Sequence, residues 1–201
     1  MIRTLAFWTA ILGAGLLVVM TVAGAAAWPG YSHVTQYISE LGATGAPNGR
    51  LVSLGGFLPI GVLLMTFAVL GALIPPRGVL RTLGFIGIFL FALGYFGAAL
   101  FPCDLGCRPE TPSPSQMLHL AFGLAGYVLA PLSLTALAVA SRKWPGQGWL
   151  FPLGLICAVV ACIAFFSMVD PLAGLFQRVL EASVILWILA FAVSLRRKPD
   201  A

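Results

Sequence analysis

Six apolar runs of about 20 residues constrain this chain more than any other feature: 5–27, 51–74, 83–101, 117–140, 150–169 and 175–195. A helix rises 1.5 Å per residue, so each run covers roughly the 30 Å of a bilayer's hydrocarbon core. In a chain of 201 residues, six such spans leave little for a soluble domain. Only 8% of the residues are charged, against roughly 25% in a soluble domain. The expected fold is therefore all-α, a polytopic membrane bundle of six transmembrane helices forming a single integral membrane domain over residues 1–201. Arg3 precedes the first run as it would in a signal peptide. The run is longer than the usual ~7–15-residue apolar core of such a peptide, so it is read as a retained helix.

The net charge of +5 would suggest nucleic acid in a soluble protein. Here the basic residues set topology instead. Arg3, Arg77, Arg81, Arg142, Lys143, Arg196, Arg197 and Lys198 fall at one end of the spans, and Arg50, Arg108 and Arg178 at or near the other. The positive-inside rule then places both termini in the cytoplasm, and the expected location is the cytoplasmic (inner) membrane of a bacterium. "SLRRK" closes a span as a topological anchor and is not a nucleic-acid patch. Glu40, Asp104, Glu110, Asp170 and Glu181 gather at the outer end, and Asp200 lies with the basic group. Polar work is expected at the outer end.

The first outer loop holds "YSHVTQYISELGATGAPNGR". Val34, Tyr37, Ile38 and Leu41 recur at i, i+3, i+4 and i+7, the spacing of one helical face. His33, Gln36 and Glu40 form a stripe on the other side. The pattern predicts a short interfacial helix from Ser32 to Leu41, capped by Ser32 and ended by Gly42. In the second outer loop, Ser113, Pro114 and Gln116 predict a helix start, with Ser113 as N-cap and Gln116 as its reciprocal partner. Asp170 and Pro171 suggest the same for the last helix. Trp28, Trp144 and Trp149 stand at span ends, where indoles sit among headgroups.

Ionisable groups inside a span cost several kcal/mol in hydrocarbon and turn toward the bundle interior or pair with one another. Arg178 and Glu181 are three apart and share a face, beside Gln177. One reading makes Arg178 a structural partner of Glu181 or Asp104. The other makes it the cation that holds an anionic headgroup, with His119, Asp104 and Glu40 as catalytic candidates for proton transfer. Cys103 and Cys107 flank "DLG" and are a disulfide candidate. Zinc through both thiolates, His119 and Asp104 is a second reading of the same residues, although C-x3-C is looser than the usual knuckle. Haem between His33 and His119 is a third. Neither metal nor cofactor is assigned. Cys157 and Cys162 lie about 140° apart around a helix, as separate thiols.

"ISELGATGAPN", "LFPCDLGC" followed by the helix-opening "LH", and "GLFQR" ahead of Trp187 resemble, in that order, the prokaryotic membrane family catalogued as domain of unknown function 998. The likeness runs over nearly the whole chain. It implies a six-helix membrane fold and a distant kinship to the eukaryotic DRAM and GPI-remodelling families, with no established reaction. The family pattern marks Ser39, Leu41, Gly42, Pro47, Phe101, Pro102, Asp104, His119, Gly174 and Arg178. Glu40 stands where many relatives carry Asp. Ser39 thereby joins the expected ligand-binding set of Arg178, Glu181, Gln177, His119, Asp104 and Glu40.

The leading functional expectation is a protein that binds a membrane lipid or another amphipathic molecule in an outward-facing polar pocket. In that reading Arg178 holds an anionic group and the 32–41 segment acts as a lid. A membrane-embedded hydrolase or transferase acting on a lipid headgroup, with His119 as general base, is the alternative of a different class. A structural subunit with a membrane-protein partner, or a homo-oligomer, is the third. The inner half of every span is nearly free of ionisable groups, so a transport path has no polar lining.

Overall fold

The computed structural model describes residues 1–196; Arg197, Lys198 and Asp200, counted above with the basic end, lie outside the described residues. The described chain folds into α1 (Ile2–Ala26), α2 (Gly49–Ala72), α3 (Val79–Leu100), α4 (Pro114–Ser141), α5 (Leu150–Phe166) and α6 (Ala173–Ser194). Five of these are long and apolar enough to cross a membrane, and α5 has 17 residues. At 1.5 Å per residue α5 extends about 25 Å, the short end of what spans. Each helix packs on the next in sequence, and α6 closes against α1, so the bundle is a ring. The short connections 73–78, 142–149 and 167–172 make the helices they join antiparallel neighbours.

The ring's surface carries many exposed apolar side chains. On α1, Ala6, Ala10 and Ala14 are buried while Val18, Val19 and Val22 are exposed. A surface of that kind belongs in lipid, where small residues rather than hydrophobicity bring helices together. The most extensive seam, between α3 and α4, shows this. A Cβ on Gly87 would sit 1.6 Å from Ser133 Oγ, and one on Gly97 would sit 2.3 Å from Phe122. A side chain at either position would force Ser133 or Phe122 out of its place in the seam.

Toward the basic end the centre is filled by rings. Phe85, Trp144, Trp187 and Phe191 pack with centroids 5.5–6.5 Å apart. Trp144, expected among headgroups, is instead 4% exposed and stacked on Phe85. The turn after α4 folds it under the bundle. Polar side chains concentrate at the opposite end, under the 27–48, 101–113 and 167–172 connections.

The first of these connections departs from the expected amphipathic α-helix. Residues 33–36 form a turn, and a 3₁₀ helix follows at Ile38–Gly42. Ser32 caps the turn, its Oγ accepting from Val34 and Thr35 N–H at 3.3 Å. The break comes at Tyr37, whose N–H is taken by the Glu40 carboxyl at 2.9 Å. Ile38 N–H is likewise taken, by Gln177 Oε1 at 2.5 Å. With both donors bound to side chains, a continuous α-helical ladder through them does not form. Glu40 is consequently buried rather than part of a solvated stripe.

At the last connection, Asp170 is not the cap of α6. The helix starts at Ala173 with Leu172 at its N-cap, after a cis Asp170–Pro171 bond. The Asp170 side chain is turned away to pair with Arg108. The start of α4 is as the sequence sets it: Ser113 Oγ accepts from Gln116 N–H at 3.1 Å. The Gln116 side chain, however, serves the loop before the helix rather than the cap.

Candidate functional site

A cavity of about 450 Å³ opens among α3, α4, the end of α5 and α6. Phe57, Phe91, Ala98, Leu120, Leu124, Phe165 and Met168 give it an apolar wall. Its polar lining comes from Tyr37, Ser39, Tyr95, Arg108, His119, Tyr127, Gln177 and Glu181. Leu120 and Leu124 are each more than half exposed. They are exposed on α4, so the cavity wall reaches the outer surface of the bundle.

The floor is a chain of hydrogen bonds around Glu181, eight positions into α6 and thus about 12 Å below its start. Tyr95 on α3 and Tyr127 on α4 donate their hydroxyls to the two carboxyl oxygens. Gln177 donates from Nε2 to Tyr127 Oη at 2.8 Å, and its Oε1 accepts from Ile38 N–H. Glu181 and Gln177 are 4% and 5% exposed. A buried polar group is tolerated when it is bonded in this way.

Of the residues expected at the site, Ser39, His119, Gln177 and Glu181 line the cavity, whereas Arg178, Asp104 and Glu40 do not. Each of the three has another task. Arg178 donates to Gln36 O at 2.8 Å, to Gly174 O at 2.9 Å and to Tyr31 Oη at 2.6 Å. It ties the first loop to α6 and pairs neither with Glu181 nor with Asp104; among the described residues the ion pair is Arg108–Asp170. Asp104 takes Ser113 N–H on its carboxyl at 2.9 Å and gives its own N–H to Gln116 Oε1 at 2.9 Å. Glu40 accepts from Tyr37 N–H and from Gln36 Nε2, both at 2.9 Å. These bonds shape loops.

His33 is exposed, edge-on to Tyr31, and does not line the cavity, so the haem pair with His119 is not assembled. Partial burial and then the Arg178 charge hold its imidazole below its usual range. Burial pushes the Tyr31 phenol above its usual value, against the opposing Arg178 charge. Cys103 and Cys107 are joined as a disulfide, and Cys157 and Cys162 are free.

Tyr95 and Tyr127 are among the site residues that sequence reasoning missed. Within an apolar run a tyrosine reads as core packing. The available signal was the hydroxyl: in hydrocarbon it needs a partner, and Glu181 was a buried acceptor within reach. Arg108, on the rim with its guanidinium 4.5 Å over the Tyr37 ring, was also overlooked.

Neither a curated protein nor a solved structure matches the chain. A family model described as "Protein of unknown function (DUF998)" matches residues 11–194, a stretch that takes in all the cavity-lining residues and most of the first helix. The chain, five of whose helices are long and apolar enough to cross a membrane, belongs to the DUF998 family.

Proposed function

We propose that the protein binds an amphipathic molecule taken from the surrounding membrane, with its apolar part against Phe91, Leu120, Leu124 and Phe165. Its polar end would lie over Glu181, Tyr127, His119 and Ser39. The observation that carries this reading is the cavity itself: an apolar wall open between lipid-facing side chains, ending in a bonded polar floor. Its volume falls in the range of about 300–1,000 Å³ typical of small-molecule sites.

The charge pattern favours a hydroxyl- or amide-bearing end over a phosphate. Arg178 is committed to the first loop, and Arg108 to Asp170. A phosphate would therefore meet a carboxyl group without an uncommitted guanidinium beside it. This replaces the expectation of an anionic group held by Arg178.

Gly123 lines the cavity, and a Cβ there would meet nothing within 4 Å. Native mass spectrometry of the detergent-purified protein, wild type beside Gly123→Leu, tests the reading. A discrete amphipath is expected on the wild type and lost from the variant, with thermal stability unchanged. A bare wild type, or a variant that retains the molecule, would overturn it.

A further inference from the structure

At the loop end of the cavity, both sulfurs of Cys103 and Cys107 and a ring nitrogen of His119 lie within 4.8 Å of one another. They come from two elements that the structure fastens together. Gln116, 1% exposed, donates from Nε2 to Cys107 O at 3.0 Å. Ser115 Oγ donates to Pro102 O at 2.7 Å. The cysteine loop is thus held to the first turn of α4, directly ahead of His119.

His119 is oriented as well as placed. Its Nδ1 is 3.0 Å from Phe101 O. A carbonyl oxygen only accepts, so Nδ1 carries the proton of the neutral ring and Nε2 keeps the lone pair. A backbone carbonyl on the other ring nitrogen is how metal-ligating histidines are commonly fixed. No second hydrogen bond engages this imidazole among the described residues.

We propose that the Cys103–Cys107 disulfide is the oxidised form of a binding site for a zinc-class divalent cation, ligated by Cys103 Sγ, Cys107 Sγ and His119 Nε2 once the bond is reduced. A dithiol reductant supplies two electrons and two protons, closing to its own disulfide and leaving two thiols. Binding of the cation then releases both thiol protons to solvent. Tetrahedral ligation, at about 2.3 Å for sulfur and about 2.0 Å for nitrogen, separates donor atoms by roughly 3.5–3.8 Å. The two sulfurs and a ring nitrogen of His119 lie within 4.8 Å of one another, so once the disulfide is reduced a small adjustment of the three side chains reaches that separation. Cys107 and His119 also line the cavity, so the fourth position faces it. Two thiolates and one imidazole with an open position form a ligand set that zinc enzymes use. Asp104, whose carboxyl is occupied by Ser113 N–H, is not a ligand. The site does not depend on what fills the cavity.

Cobalt(II) titration of the full chain in detergent tests the proposal, before and after reduction by a trialkylphosphine, which becomes the phosphine oxide with oxygen from water. The reduced wild type should take one cobalt per chain, with thiolate charge-transfer absorption that zinc abolishes, and the oxidised protein none. His119→Gln should weaken binding by about tenfold or more, and Cys157→Ser/Cys162→Ser should leave it unchanged. Zinc-edge X-ray absorption of the loaded wild type needs no variant and should show two sulfurs and an imidazole nitrogen. Absence of the charge-transfer band after reduction, an unchanged affinity in His119→Gln, or a shell without imidazole would overturn the proposal.

Discussion

Arg178 donates from Nη1 to the carbonyl oxygen of Gln36 at 2.8 Å, across 142 positions of sequence. The same guanidinium reaches Gly174 O and Tyr31 Oη, so one side chain fastens the first loop to the start of α6. Charge-assisted hydrogen bonds contribute about 1.5–3 kcal/mol. Arg178→Ala is expected to lower stability by that order in a thermal melt. Arg178→Lys keeps the charge without the planar fork and should recover only part of the loss.

Tyr127 and Tyr95 both donate to Glu181, but only Tyr127 also accepts, from Gln177. Tyr95→Phe removes one donor from the carboxyl group. Tyr127→Phe does the same and leaves a buried amide N–H unpaired, at a further cost of about 1–3 kcal/mol. Melting temperatures of the two variants should therefore rank Tyr127→Phe below Tyr95→Phe. Equal losses would mean that the Gln177 bond contributes nothing.

Gly174 is required by distance and not by backbone angle. A Cβ there would lie 2.1 Å from Gln36 O and 2.7 Å from the carbonyl carbon. Those are main-chain atoms, so relief requires moving the loop. Gly174→Ala is expected to cost about 1–3 kcal/mol, as overpacking does. Hydrogen exchange should localise the loosening to residues 31–38.

Tyr31 predicts an alkaline limit. Its hydroxyl donates to Tyr37 O at 2.7 Å, and burial raises its pKa above the ordinary 10.0. In the unfolded chain the phenol loses its proton near that ordinary value, while the folded protein holds on to it. The contribution is therefore complete below about pH 10 and declines as pH climbs through the raised value. Melts in this range should fall more steeply for wild type than for Tyr31→Phe.

Membrane residence and the six helices were legible because hydrocarbon thickness leaves a 20-residue imprint on composition. The Ser113 cap was legible because its partner lies three residues away. Arg178 was expected to pair with a carboxylate or an anionic group, but two of its three acceptors are main-chain carbonyls, which have no sequence signature. The 32–41 segment carried a genuine helical period. It failed as one helix because Glu40 and Gln177 compete for the N–H groups of Tyr37 and Ile38, and Gln177 is 139 positions from Ile38.

The bonds that run from Ile38 through Gln177 and Tyr127 to Glu181 make the cavity floor and the anchor of the first loop a single object. A guest that engages the Tyr127 hydroxyl alters the acceptor on which Gln177 rests, and Gln177 in turn holds the loop. Reciprocity then requires that whatever tightens the loop changes the guest's affinity by the same factor by which the guest changes the loop's closure. Loop and floor are coupled through Gln177.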